Sequence, residues 1–225
     1  QRILLCGMLL GFFVFLGYAL QTFALLYTTL GKAGFLTGAN VVFVPLLSFF
    51  LLKENLSPSV IAGVLATFVG LYLLSVSDFQ NINYGDLLAL GCAIAFALQI
   101  IYTKVYASTL PIPPLVTVQT FTVFLLSGLG SLLFEPWQQM YQLSILLQPK
   151  VLSAILITSI FATVFAFLVQ TYVQKYTSPT RVALIFATEP IFAALGDYVW
   201  NGITLDTRSL IGCTLILAGI LLSEL

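Results

Sequence analysis

Residues 178–195 read SPTRVALIFATEPIFAAL, and the one charge inside that run decides how the chain is read. The stretch opens on a basic, Pro-containing turn, becomes apolar, and then carries a carboxylate, Glu189, followed at once by Pro190. A charge at the centre of a membrane helix costs roughly 2.5–3.5 kcal/mol on insertion scales. Proline removes a backbone donor and loosens the helix beside it. A carboxylate next to a loosened ladder points to a polar cavity between helices. The competing reading is a Glu hydrogen-bonded to a neighbouring helix for packing alone.

The rest of the chain supplies the setting. Of its 225 residues 60% are hydrophobic and 7% charged, and the mean hydropathy is +1.09. A soluble domain carries about 25% charge, so this composition specifies a polytopic membrane protein whose length counts helices rather than soluble cores. The net charge is zero, and nothing suggests a nucleic-acid partner. There is no His, which removes Ser-His catalysis and histidine metal sites, and one intramembrane carboxylate makes no aspartyl dyad. No catalytic residue, metal site or cofactor is therefore expected. Cys6, Cys92 and Cys213 lie far apart in apolar runs and read as small packing residues. The first apolar run lacks a basic leader and a small-residue cleavage site, so it reads as a span, not a signal peptide.

Eight apolar segments lie close to the ~20 residues that a spanning helix needs: 3–27, 33–52, 59–76, 86–106, 114–134, 151–174, 181–200 and 208–225. Charges and turn residues collect between them, and the longest connector, 135–150, holds Trp137 and Tyr141, which suit a membrane interface. The starting side of the membrane receives Arg2, Lys53, Lys104, Lys175 and Arg181. The other side receives Lys32, Lys150 and Arg208, with Asp78, Glu135 and Asp206. That asymmetry places the starting side, and after eight crossings the C-terminus too, in the cytoplasm.

A shift of 149 residues, which carries Gln21-Thr22 onto Gln170-Thr171, also carries Tyr27-Thr28 onto Tyr176-Thr177, Lys32 onto Arg181, Gly63 onto Gly212 and Gly70 onto Gly219. Segments one to three thus match segments six to eight, and four and five have no partner. The unit is five helices, and the first copy is expected to lack its first two. An odd-numbered repeat inserts in opposite orientations, the inverted-repeat plan of secondary transporters, with a site near the midplane. The fold class expected is an all-α polytopic membrane protein of inverted five-helix repeats, eight of ten helices present. Residues 1–77 are the last three helices of the first repeat, and 84–225 are the complete second.

The runs AGFLTGANVVFVPLL from Ala33, GDLLALGCAIAFALQ from Gly85, FATVFAFLVQTYVQKYTSPTRVALIFATEPIFAAL from Phe161 and LIGCTLILAGILLSEL from Leu210 resemble the bacterial EamA-type transporters of the drug/metabolite transporter superfamily. The resemblance covers nearly the whole chain. It implies ten helices in two inverted repeats, a central substrate cavity, export of metabolites or amino acids, and cytoplasmic termini. It implies too that the absent first helix helps line the cavity. After the seventh segment the family usually has Gly-Glu-Arg, where this chain has Gly202-Ile203-Thr204; the first repeat keeps the acid as Glu54.

The expected substrate contacts are Gln21, Thr37, Asn40, Gln99, Gln170 and Glu189, with Glu189 also the proton-coupling group, since a carboxylate desolvated in an apolar bundle titrates nearer physiological pH. The shift carries Asn40 onto Glu189, and Asn40 precedes Pro45, which frees a carbonyl about one turn back. For Gln21, Thr22, Gln170 and Thr171 the alternative is interhelical hydrogen bonding, worth about 0.6 kcal/mol each in membranes. Tyr102 reads as an interfacial anchor, Asp197 as a solvated acid near the far surface, Lys104 as a snorkelling cation, and the paired glycines as close-packing surfaces. The helices broken at Pro45 and Pro190 are expected to move against the rest. Together these features predict a secondary transporter of small metabolites working by alternating access, multi-pass in the bacterial inner membrane. A non-transporting membrane subunit is the alternative. The partners expected are the substrate and the lipid bilayer, with a homodimer admitted and no nucleic acid.

Overall fold

The computed structural model describes residues 1–75, 82–134, 147–202 and 204–224. In hydrocarbon every backbone N–H and C=O must be satisfied within the chain, and the helix does this locally. The described elements are accordingly helical: α1 (Arg2–Ala24), α2 (Leu30–Gly38), α3 (Asn40–Leu52), α4 (Pro58–Ser75), α5 (Tyr84–Ala107), α6 (Ile112–Phe134), α7 (Pro149–Ile157), a π-helical stretch (Thr158–Phe165), α8 (Ala166–Gln174), α9 (Pro179–Phe186), α10 (Glu189–Asn201) and α11 (Thr207–Ser223). Six helices are long and apolar enough to cross a membrane: Arg2–Ala24, Leu30–Leu52, Pro58–Ser75, Tyr84–Ala107, Ile112–Phe134 and Pro149–Gln174. The α9–α10 pair and the 17-residue α11 fall on the remaining two expected segments. Trp137, Tyr141, Asp78, Glu135 and Ile203 lie outside the described residues, as does the side chain of Asp197.

The chain forms two compact units. The first holds Gln1–Phe15 and Tyr102–Tyr176. There α6 lies against the start of α1 through glycines: a Cβ on Gly11 would meet the Gln119 carbonyl at 2.6 Å. The spanning helix Pro149–Gln174 is π-helical over Thr158–Phe165, where the Thr163 hydroxyl donates to the Thr158 carbonyl at 2.9 Å. That widening is invisible in the apolar pattern, which is the same for either ladder.

The second unit holds Leu16–Ile101 and Thr177–Leu225. Its two interrupted spans begin alike. The Thr29 side chain caps α2 on the Lys32 N–H, and that of Ser178 caps α9 on the Arg181 N–H. Both spans are then interrupted at an alanine, Ala39 (φ −61°, ψ −8°) alone in the first and Ala187 (φ −62°, ψ −8°) followed by Thr188 in the second. The second bend lies just ahead of Pro190, as expected. The first does not lie at Pro45, which sits inside α3. The interruption falls instead at Ala39, after Gly38, where the Ala39 N–H reaches the carbonyls of Phe35, Leu36 and Thr37. The helices α4 and α11 cross antiparallel. A Cβ on Gly70 would meet the Gly212 carbonyl at 2.6 Å, and one on Gly63 would run into that of Gly219. Each glycine therefore faces the other helix's second copy of the pair, the pattern of a two-fold crossing.

Candidate functional site

The two bends set the site, because each delivers a polar residue at the start of a half-helix. Asn40 opens α3 and Glu189 opens α10. An N-terminal first turn favours an anion, so the position lowers part of the cost of the Glu189 charge. The Glu189 side chain is exposed, and it makes no hydrogen bond or ion pair among the described residues. It lies within electrostatic range of the Tyr18 hydroxyl on α1. The Tyr18 ring stands edge-on to Phe96 of α5, centroids 5.5 Å apart at 77°. Gly17 lets the two helices approach that closely, since a Cβ there would sit 2.6 Å from the Phe96 ring.

From Tyr18 the site extends along three helices. Gln21 is one turn further on α1 and half-buried. Cys92 of α5, also within range of the Tyr18 hydroxyl, receives a hydrogen bond from the Thr37 hydroxyl of α2 (Oγ1 to Sγ, 3.8 Å). Gln99 lies two turns beyond Cys92 and is buried. Gln21, Thr37, Asn40, Gln99 and Glu189 thus belong to one compact unit, whereas Gln170 on α8 belongs to the other. Of the other polar pairs, Thr22 gives its hydroxyl to the Tyr18 carbonyl within its own helix at 2.8 Å. Thr171 is fully buried and does not face a solvent-filled space. Tyr102 stacks on Phe13 and Tyr106.

Tyr18 and Phe96 are not singled out by the sequence, and Cys92 reads there only as a packing residue. Only helical spacing could have found them: Tyr18 is one turn before Gln21, and Cys92 two turns before Gln99. Among the described residues no three His, Cys, Asp or Glu side chains come together to hold a metal. The chemistry available is that of one carboxylate, a phenol, a thiol, a hydroxyl and neutral amides. Such a set offers hydrogen-bond donors and acceptors and one group that can be protonated.

The sequence profile of the EamA-like transporter family matches residues 1–76 and 83–225. The chain belongs to the EamA-like transporter family. A protein of Archaeoglobus fulgidus described as an uncharacterized transporter is 32% identical over 219 residues, covering 97% of this chain and 68% of that protein. A second uncharacterized transporter of the same organism is 29% identical over 213 residues, covering 92% of this chain and 71% of that protein. A crystal structure only 19% identical in sequence shares the fold, with a TM-score of 0.76 over 98% of this chain and 86% of that one. This EamA-like transporter is a multi-pass integral membrane protein.

Proposed function

We propose that the chain carries small polar metabolites, amino acids and other zwitterions foremost, out of the cell by alternating access, with Glu189 coupling the movement to protons. One observation carries the reading: an intramembrane carboxylate that is exposed, unpaired among the described residues and set at a helix bend beside a phenol. A carboxylate kept only for packing would be buried against a partner. Gln21, Thr37, Asn40 and Gln99 are proposed to contact substrate, while Gln170 is proposed on sequence grounds alone. The five-helix inverted repeat is supported by the matching caps, the matching bends and the glycine crossing of α4 with α11. The excess of Lys and Arg on one side supports a cytoplasmic C-terminus.

The test is flux in proteoliposomes of the full-length protein under an imposed pH gradient, with a pooled mixture of amino acids and metabolites. Glu189→Gln is expected to abolish gradient-driven flux and to leave exchange intact. Equal gradient-driven flux in both proteins would sink the coupling role. Tyr18→Phe removes one hydroxyl and is expected to weaken apparent substrate affinity about fivefold, the worth of one hydrogen bond of about 1 kcal/mol. An unchanged affinity would take Tyr18 out of the site.

A further inference from the structure

At one end of the first unit, where α1 begins and α5 and α8 finish, cations and tyrosines collect. The Lys104 Nζ donates to the backbone carbonyl of Lys175 at 3.2 Å, which sets the two residues side by side and leaves two Lys104 donors for another acceptor. The Lys175 Nζ rests 5.6 Å from the centroid of the Tyr176 ring. Arg2 lies within electrostatic range of Tyr106, which stacks on Tyr102 at 5.9 Å. Tyr172 meets Tyr176 at 5.5 Å. No Asp or Glu stands among the described residues of this unit. The cations therefore have no described carboxylate in their own unit to neutralise them.

A groove of about 590 Å³ runs from this cluster along the last turns of α8, between Phe165, Leu168 and Tyr172 on one side and Leu110 of the α5–α6 connection and Pro113 at the start of α6 on the other, and Lys175 also lines it. Its wall is almost wholly apolar apart from that lysine and the Tyr172 hydroxyl. A soluble anion would use the lysines and leave the groove unfilled. An acyl chain alone would fill the groove and leave the lysines uncompensated. Helix ends with Tyr and Lys are also where lipid headgroups lie.

We infer that this end of the first unit binds one anionic phospholipid, its headgroup phosphate on Lys104 and Lys175 and one acyl chain in the groove along α8. The inference is independent of what the protein transports. Each lysine near an anionic headgroup contributes about fivefold in affinity.

The experiment is native mass spectrometry of the full-length protein in detergent, titrated with phosphatidylglycerol or with phosphatidylcholine of the same acyl chains. Phosphatidylglycerol is expected to be retained on the order of tenfold better. Lys104→Gln with Lys175→Gln is expected to erase that preference, Leu168→Trp to weaken retention of both lipids by obstructing the groove, and Lys150→Gln, at the other end of the unit, to change nothing. Equal retention of the two lipids would overturn the inference, as would an undiminished preference in the double-lysine variant. Full competition by soluble glycerol phosphate would assign the lysines to a free anion and overturn it equally.

Discussion

Asp86→Ala is expected to destabilise the protein by about 3–5 kcal/mol, the cost of leaving a buried charge without its partner. Asp86 is 3% exposed and Lys32 5%, and the two form an ion pair between the start of α5 and the start of α2. The carboxylate also accepts from the Thr28 hydroxyl at 2.8 Å and from the Asn83 N–H at 2.9 Å, while Asn83 Oδ1 accepts from the Asp86 N–H at 3.0 Å. Removing it takes the carboxylate away from the Lys32 ammonium and releases the α1–α2 connection and the Asn83 turn together. Lys32→Met with Asp86→Leu removes both charges and is expected to recover most of the loss, because an apolar pair of similar volume needs no desolvation. Thermal unfolding in detergent reads both. If Asp86→Ala fell within about 1 kcal/mol of the parent, water would have to reach the pair. A second ion pair, Arg181 with Glu224, is about half exposed on both sides, so it is expected to contribute at most about 1 kcal/mol.

The second large effect is expected at the crossing of α4 and α11. A Cβ on Gly70 meets the Gly212 carbonyl at 2.6 Å and the Ile216 nitrogen at 2.9 Å; one on Gly212 meets the Gly70 carbonyl at 2.7 Å. These obstacles are backbone, so no rotamer change relieves them and the helices must part. Gly70→Ala is expected to cost about 1–3 kcal/mol, and Gly70→Leu more, since overpacking a close contact strains everything beside it. Gly34→Ala is the control. Nothing lies within 4 Å of a Cβ there, and alanine in a helix gains about 0.5–1 kcal/mol over glycine. A Gly70→Ala protein that unfolds at the parental temperature would show that the two helices do not touch at this point.

These two sites also mark how far the residues can be read without the fold. The helical segments were legible because a bilayer demands about 20 apolar residues and lets no polar backbone go unpaired. No expected boundary moves by more than three residues: 114–134 becomes Ile112–Phe134, and 151–174 lies within Pro149–Gln174. The glycines of α4 and α11 were legible as packing surfaces from their spacing. The bend at Ala39 was not. Pro45 was the stronger local signal, but it sits inside α3 and the interruption falls at Ala39.

Lys32 shows the same boundary most plainly. By its place between two apolar segments it counts as a cation on the far side of the membrane, solvated like any other. In the fold it is buried, because Asp86, 54 residues later, meets it. Thr37 and Cys92, 55 residues apart, and Tyr18 with Phe96 are likewise joined only by packing. The sequence by itself determined that the chain crosses a membrane and where its apolar helices run, since these follow from the local balance of hydrophobicity and helix geometry. The tertiary structure alone decided which buried charge is paired and which is left exposed, because the free energy of a charge depends on what distant residues bring within a few ångströms of it.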